Sequence, residues 1–401
     1  MYNLKQPSES ILRAANEEIS AMKLCFFHLM PYQDLPDNFE KDYHSVWVDA
    51  PNSLFDPEKA EHMYNDFLDE LEYAEAMGFD AICVNEHHGN AYGMMPSPNL
   101  MASAMIRATS KAAVVVLGNS LALYNPPIRV AEEMAMLDVM SGGRLIAGFP
   151  LGTSMDTIFG YGQVPVTLRE KYQEAHDLVM KAWKEREPFS FNGKFTQLRY
   201  VNIWPRPYQQ PPPPIWVPGS GSLETWDWTI DNDYVYCYLS YSGYKVGKTI
   251  LDGFWDEMER KGKDFNPYHA GFLQLVAVSE TDEQAQEYKD SIEYFFKKSL
   301  HIPRRICQPA RLPHGEDQRF SGQQHHHAVP EQAAQRFHLD RLPGGGQRYR
   351  GQPGDGCERV DPRREGTARR QPDGAAPIRR HAQRAGHEEH HPVRQRGHAP
   401  P

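Results

Sequence analysis

The chain has 401 residues, the length of one large α/β domain or of two ordinary domains. Its charge is divided unevenly: residues 1–303 hold 25 Lys and Arg against 42 Asp and Glu, whereas residues 304–401 hold 18 Arg, no Lys and 11 acidic residues. The acidic body argues against nucleic acid as its main partner, because phosphate binding needs a positive surface. No apolar run approaches the roughly 18 residues of a membrane span and no secretory signal is visible, so we expect a cytoplasmic enzyme.

Strand and helix patterns alternate from residue 22 onward. Residues 1–21 are polar and are interpreted as an N-terminal extension, because Met22 directly precedes an abrupt apolar strand pattern. Alternation of strands with helices of ten or more residues is typical of parallel strands with crossover helices. Strands are predicted at 23–29, 81–85, 113–119, 145–148, 215–218, 234–239 and 271–278. Helices are predicted at 60–77, 99–109, 128–140, 168–185, 223–230, 245–261 and 282–299.

The predicted strand number bounds the architecture. Seven strands leave a (β/α)₈ barrel one strand short of eight. A doubly wound open sheet is the alternative, but no Gly-x-Gly-x-x-Gly segment opens a helix after the first strand, which weakens it. The barrel is therefore favoured, and the doubly wound sheet stays open as the alternative.

The loop after the second predicted strand holds the sharpest chemical feature, Glu86-His87-His88. In a (β/α)₈ barrel the active site is formed at the carboxyl ends of the strands. Two adjacent His side chains at a strand end point to opposite sides, so only one is expected to face the barrel mouth. A neutral imidazole beside a carboxylate can donate or accept a proton near pH 7. A structural Glu–His hydrogen bond is the alternative, and a metal site lacks further ligands at a suitable spacing.

The loop after the fifth predicted strand, Gly219-Ser220-Gly221-Ser222, opens a helix. Exposed backbone N–H groups and the positive end of the helix dipole suit a phosphate at such a place. A plain β-to-α turn with a serine cap has the same composition. Both interpretations fit these four residues.

Five segments resemble, in order, the signatures of luciferase-like flavin monooxygenases. They are Asn85–His88, Gly118–Ser120, Asn125–Glu133, Leu137–Leu145 and Pro214–Ser222. One such motif is weak evidence, whereas five in the family's order and spacing identify residues 22–303 as similar to this family. The resemblance implies a (β/α)₈ barrel of the bacterial luciferase type, a homodimer or related heterodimer. It also implies reduced FMN supplied by a separate flavin reductase, and O₂ used to oxygenate a small organic substrate.

The resemblance also assigns roles to individual residues. His87 falls on the family's catalytic histidine, which helps to form and protect the flavin C4a-peroxide, and Glu86 would orient nearby groups. Asn119 falls where the family contacts the flavin ring, and Gly221 and Ser222 fall in its phosphate loop. Tight exclusion of water suits this chemistry. Aromatic and Met side chains near the strand ends are candidates for the pocket wall: Tyr92, Met94, Met95, Tyr124, Phe149 and Tyr241.

Two departures limit what the resemblance implies. After the fourth strand, luciferase itself has a reactive cysteine followed by a phosphate-binding arginine, and here Pro150 and Leu151 stand at those places. The light-emitting reaction is therefore not implied, and a phosphate must rely on other donors. An oxidoreductase that uses the deazaflavin F420 and a non-catalytic flavin-binding relative are the alternatives. The Glu-His-His segment favours FMN and oxygen chemistry.

Residues 304–401 have the composition of a disordered basic tail or of a gene read in the wrong frame. They hold 10 of the 18 His and no Lys, Met or Trp. We back-translated three segments into their possible codons and read these codons in the frame that starts one base later: 309–317, 344–357 and the segment from His387 onward. All three then permit sequences similar to this family, including a Gly-x-Pro-Glu-x-Val helix start. We therefore hypothesise a frameshift close to Pro303–Arg304. The chain as written would then lack its eighth strand and last helices, and we expect it to be unstable or inactive.

Overall fold

The computed structural model of the chain describes residues 22–239 and 243–300, apart from the side chain of Ser154. Within them, seven parallel strands form one sheet in chain order, and two further strands form a separate hairpin. The parallel strands are β1 Cys25–Phe27, β2 Ala81–Val84, β3 Ala113–Val116, β4 Leu145–Gly148, β7 Ile215–Gly219, β8 Val235–Leu239 and β9 Ala270–Leu273. The hairpin strands are β5 Phe189–Asn192 and β6 Gln197–Val201.

The strand order separates the two predicted architectures. Each strand of the seven-stranded sheet pairs in parallel with the next one along the chain, the hairpin being an insertion between β4 and β7. A doubly wound sheet reverses its strand order at a switch point near the middle. The continuous order is that of a curled barrel wall. The predicted luciferase-type barrel class is confirmed, and the doubly wound alternative does not fit.

The crossover helices follow from periodicity and end signals. The helix Pro57–Ala76 begins after Asp56, whose carboxylate accepts the Glu58 N–H at 2.9 Å, and Pro57 takes the first helical position. The helix Ile128–Ser141 is capped by Gly142, whose φ of 67° is in the left-handed region. The helices are α1 Phe39–Asp42, α2 Pro57–Ala76, α3 Pro98–Ala108, α4 Ile128–Ser141, α5 Pro165–Lys184, α6 Leu223–Asp231, α7 Tyr244–Arg260, α8 Asp282–Ala285 and α9 Lys289–Tyr294.

The sheet buries both of its faces. One face carries Ile82, Val84, Val114 and Val116, which pack in one core with the apolar sides of the crossover helices. The alternate positions, among them Ala81, Cys83 and Val115, form a second cluster on the opposite face. A strand that is apolar on both faces is the pattern of a parallel sheet covered on both sides.

Three parts of the chain differ from the sequence-based elements. The β5–β6 hairpin was not predicted, and the Glu174 carboxylate fixes its turn by accepting the N–H groups of Phe195 and Thr196. The predicted helix at 282–299 is broken into short α, 3₁₀ and π segments. The predicted strand at 271–278 pairs only up to Leu273, and Val276 and Val278 are 75% and 81% exposed. In the described residues no strand pairs with the outer edge of β9, so nothing holds 274–278 extended.

Several sequence-based predictions lie outside the described residues. The extension at 1–21, the tail at 304–401 and the pocket candidate Tyr241 are among them. None of the helices in 22–239 and 243–300 is long and apolar enough to cross a membrane.

Candidate active site

The loops that follow β2, β3 and β4 meet at a buried carboxylate. Glu86 follows β2, and its Oε2 accepts the backbone N–H of Ser120 at 2.8 Å in the loop after β3. Its Oε1 lies 2.7 Å from Nε2 of His88 and accepts the hydroxyl of Tyr124 at 3.2 Å. The Glu86 side chain is 2% exposed. A carboxylate with three donors is satisfied in a buried setting, and here it joins two loops at the carboxyl end of the sheet.

His87 is held by a carboxylate that the sequence did not indicate. Its Nδ1 lies 2.9 Å from Oδ2 of Asp156, in the π-helical turn Ser154–Gly160 after β4. Asp156 also accepts the hydroxyl of Thr153 at 2.6 Å and the backbone N–H of His88 at 2.8 Å. The expected carboxylate neighbour, Glu86, pairs instead with His88. Each of the two adjacent imidazoles thus has its own carboxylate, because their side chains leave the loop in opposite directions.

The charge of Asp156 is stabilised in the folded chain. Burial raises the pKa of this carboxyl, but its hydrogen bond and charge interaction with His87, together with donors from Thr153 and His88, outweigh burial and hold the pKa below its ordinary value. Asp156 is 3% exposed and His87 is 9% exposed. The arrangement is a buried carboxylate–imidazole pair in which Nδ1 faces the acid. No partner for Nε2 of His87 exists among the described residues, which leaves this nitrogen available to a ligand.

Apolar and aromatic groups surround the other sides of His87. The rings of Trp47 and Tyr92 meet its imidazole edge-on, with centroids 5.8 Å and 4.9 Å away, and they stack on each other at 5.0 Å. Phe295, near the end of the described chain, stacks on Tyr92 at 6.0 Å. Of the predicted pocket residues, Tyr92 is thus brought to His87. Trp47 and Phe295 were missed, because they lie far from any strand end in the sequence.

Asn119, the predicted ring contact, is completely buried and belongs to the same network. Its Nδ2 donates to the hydroxyl oxygen of Tyr124 at 2.8 Å, and that hydroxyl donates onward to Glu86. Burial, followed by the negative charge of Glu86, raises the pKa of Tyr124 well above its usual value, so this hydroxyl keeps its proton. The Oδ1 atom of Asn119 is buried and has no hydrogen-bond partner in the described part of the chain. A buried acceptor without a donor is uncommon in folded proteins, and a water molecule or a ligand can supply the missing donor.

The predicted phosphate loop lies at the carboxyl end of β7. Gly219 ends β7, Gly221 has a φ of +103°, and Ser222 caps α6 without a side-chain hydrogen bond. A Cβ on Gly219 would lie 3.0 Å from the Tyr236 ring, so the backbone there passes close to its neighbours. Burial raises the pKa of Tyr236, while the Trp226 indole and the Gly221 N–H act in the opposite direction.

An arginine pairs with the helix that this loop opens. Arg169, on α5, forms an ion pair with Glu224 in the first turn of α6, with Nε and Oε2 2.8 Å apart. The Arg169 side chain is 22% exposed. A guanidinium is a suitable donor for a phosphate. Sequence reasoning missed Arg169 because nothing near it in the chain is a motif.

The structure brings Glu86, His87 and Asn119 into one cluster, and places Gly219–Ser222 at the carboxyl end of a strand of the same sheet. It adds Asp156 to the cluster, and it also brings in Tyr124, one of the predicted pocket residues. The spacing Thr153-x-x-Asp156 is a helix-start signature and could have revealed the turn that carries Asp156. Among the described residues no three His, Cys, Asp or Glu side chains are grouped so that they could hold a metal ion.

The chain matches one protein family over most of its length. Residues 46–354 match the family model described as luciferase-like monooxygenase. An uncharacterised protein of Sinorhizobium fredii is 31% identical over 229 residues, which cover 56% of this chain and 65% of that protein. The oxygenase component of a flavin-dependent trigonelline monooxygenase from Acinetobacter baylyi is 24% identical, with 60% of this chain and 66% of the relative covered. The chain thus spans just under two thirds of the length of these relatives.

Solved structures show the same fold. The oxygenating constituent of 3,6-diketocamphane monooxygenase from Pseudomonas putida, in complex with FMN, matches with a TM-score of 0.56 and 18% identity. The match covers 70% of this chain and 74% of that one. An F420-dependent secondary alcohol dehydrogenase matches with a TM-score of 0.50 and 19% identity, over 73% of this chain and 82% of that one. At such identities the likeness concerns the fold alone.

Proposed function

The chain belongs to the luciferase-like monooxygenase family, and from this premise we propose that it is the oxygenase component of a two-component FMN-dependent monooxygenase. In this proposal a separate flavin reductase supplies reduced FMN, and one atom of O₂ enters a small organic substrate. The observation that carries the proposal is the buried His87–Asp156 pair, at the carboxyl end of the sheet where this fold places its chemistry.

His87 is proposed to move a proton at Nε2. Because Asp156 is acceptor-only when ionised, the neutral imidazole donates its Nδ1 proton to that carboxylate. Nε2 then carries a lone pair and can accept a proton from a bound group, and the positive imidazolium that results is stabilised by the Asp156 charge. Glu86 holds the neighbouring His88 and the Ser120 backbone, so its role in this proposal is to position the loops.

The residues present fit a flavin. The orphaned Oδ1 of Asn119 offers a buried acceptor to a ring N–H. The N-terminal turn of α6 offers backbone donors from Ser220 and Ser222 to a phosphate, and Arg169 stands beside it. Reduced FMN supplies the electrons that activate O₂, and the chain supplies the site.

Exclusion of water is the third part of the proposal. Trp47 and Tyr92 are buried and cover the imidazole edge of His87, and Phe295 extends this aromatic wall. An apolar wall lowers the local dielectric constant, which strengthens the His87–Asp156 interaction. It also keeps water away from reactive intermediates of the bound cofactor and substrate. Water exclusion favours oxygen chemistry here.

A partner reductase is proposed because the trigonelline monooxygenase relative is the oxygenase component of its enzyme. A homodimer or related heterodimer is proposed from the family resemblance. The F420-dependent neighbour has the same fold, so the fold leaves F420 as the competing cofactor.

Isotope incorporation tests the reaction. The chain is incubated with a flavin reductase, FMN, NADH and ¹⁸O₂ against a panel of small organic compounds, and the products are read by mass spectrometry. We expect one ¹⁸O atom in the product, formed only when the reductase is present. A parallel incubation contains F420 in place of FMN and the reductase. Substrate oxidation in that incubation, without uptake of ¹⁸O, would show a hydride-transferring oxidoreductase instead.

A further inference from the structure

We propose that Glu86 and Tyr124 lock the amide of Asn119 so that it presents an acceptor, and never a donor, to the bound flavin ring. The ring would then be held through one of its N–H groups at this point, rather than through a carbonyl oxygen. The inference rests on the proposed function, which supplies the ring. Tyr124 is a positioning residue in this account, because its hydroxyl acts through Asn119.

The direction of the hydrogen bonds begins at Glu86. An ionised carboxylate can only accept, and Glu86 accepts from the Ser120 N–H at one oxygen and lies close to His88 at the other. The Tyr124 hydroxyl, 3.2 Å from Oε1, therefore donates its single proton to Glu86. Since burial and the Glu86 charge raise the pKa of Tyr124, the hydroxyl keeps that proton throughout the physiological pH range.

The amide of Asn119 then has one permitted orientation. With its proton given to Glu86, the Tyr124 oxygen presents only lone pairs to the atom 2.8 Å away. The NH₂ group of Asn119 must occupy that position, because a reversed amide would set two acceptors against each other. The hydrogen-bond network, rather than the shape of the amide, thus decides which atom faces Tyr124.

The consequence is the orphaned Oδ1. Asn119 is 0% exposed, and its Oδ1 has no donor in residues 22–239 and 243–300. A buried acceptor without a donor is energetically unfavourable. A ligand N–H that hydrogen-bonds to this oxygen would remove that cost, which favours binding of the ligand. The rings of FMN and F420 both carry N–H and carbonyl groups, and the locked amide selects between those two kinds of group.

A double-mutant cycle on the full chain tests the lock. FMN, and F420 in parallel, are titrated by fluorescence into the wild type, Tyr124→Phe, Asn119→Leu and the double variant. We expect each single change to weaken binding by about tenfold, in line with the loss of one buried hydrogen bond. In the Asn119→Leu background, Tyr124→Phe should have almost no further effect. Tyr234→Phe is the matched control, because its hydroxyl contacts His176 rather than this network.

Side-chain NMR of the free protein supplies a second readout. The Asn119 NH₂ protons should exchange slowly in the wild type and in Tyr234→Phe, and quickly in Tyr124→Phe. Additive effects in the binding cycle, or unchanged Asn119 exchange in Tyr124→Phe, would overturn the lock. Failure of both cofactors to bind the wild type would instead refute the proposed function, and the exchange measurement separates the two failures because it needs no cofactor.

Discussion

Two adjacent imidazoles of the cluster pair with different carboxylates. His87 is paired with Asp156, and His88 with Glu86. The sequence places Glu86 beside both imidazoles, and only the structure shows which one it serves. Because Nδ1 of His87 faces Asp156, Nε2 is the nitrogen of His87 that can contact a ligand. Asp156 is therefore the residue that orients the imidazole.

Replacing His87 by Ala should remove proton transfer and leave the cofactor site in place. We expect product formation in the reductase-coupled assay to fall by about 10²–10⁴-fold, the usual contribution of a general acid or base. FMN affinity should change little. His62→Ala is the control, because its side chain is 82% exposed on α2. Unchanged turnover in His87→Ala would favour a non-catalytic role for this histidine.

Asp156→Asn should change the tautomer of His87 while keeping the shape of the turn. An amide can present its NH₂ to Nδ1, which would move the imidazole proton to Nε2. We expect the ¹⁵N shifts of the two ring nitrogens to exchange character and kcat to fall by at least about tenfold. Asp177→Asn is the matched control, since Asp177 pairs with Nδ1 of His176 outside the cluster. Identical ¹⁵N shifts in wild type and Asp156→Asn would refute the positioning role.

Stability should depend on the charge of Asp156 at acid pH. Its pKa is lowered in the folded chain, so folding is favoured when the carboxyl is ionised. That contribution is present above the unfolded pKa of about 3.9 and is lost as the pH falls through the lower folded value. We expect the stability advantage of the wild type over Asp156→Asn to shrink as the pH falls below about 4. Urea unfolding across this range measures it, and a pH-independent difference would contradict the assignment.

At the scale of elements, the sequence predicted the seven parallel strands and most crossover helices closely. The apolar periodicity of α4 and the continuous apolar run of β3 indicate which residues are buried, and these patterns predict the two elements. The π-helical turn that carries Asp156 has no such period, and Trp47 reaches His87 through a loop. Contacts between residues 69 positions apart, as between His87 and Asp156, leave no local pattern. The sequence therefore predicted where the cluster lies, at the strand ends, but it did not predict that Asp156 and Trp47 contact His87.

Arg169 joins α5 to the first turn of α6, close to the predicted phosphate loop. If Arg169 assists phosphate binding, Arg169→Met should weaken FMN binding by about tenfold and leave riboflavin, which lacks the phosphate, unaffected. Titration of both ligands measures the difference. Arg129→Met is the matched control, since Arg129 forms a surface ion pair with Glu133 on α4. Equal losses for FMN and riboflavin would show that Arg169 acts only through the packing of α6.

At the scale of the whole molecule, the sheet edge bears on the reading frame. The apolar segment that continues β9 is exposed at Val276 and Val278, where an eighth strand and its helix would give cover. The family match of the sequence as written runs to residue 354, about 50 residues past the proposed break, and so gives the frameshift no support. A frameshift close to Pro303–Arg304 stays a prediction about the gene.

Sequencing the gene across codon 303 tests that hypothesis. We expect a second frame, one base away, that continues the family's last strand and helices. The frame-restored chain should melt at a higher temperature than the 401-residue chain, because it buries the apolar edge beside β9. A single intact frame with no homologous alternative reading would refute the frameshift.

Anaerobic titration with reduced FMN and with reduced F420, each followed by mixing with O₂, decides between the two candidate cofactors of this chain. We expect tighter binding of reduced FMN and an oxidation by O₂ whose rate differs between wild type and His87→Ala. Binding of reduced F420 alone, with no interaction with reduced FMN, would refute the proposed FMN-dependent monooxygenase.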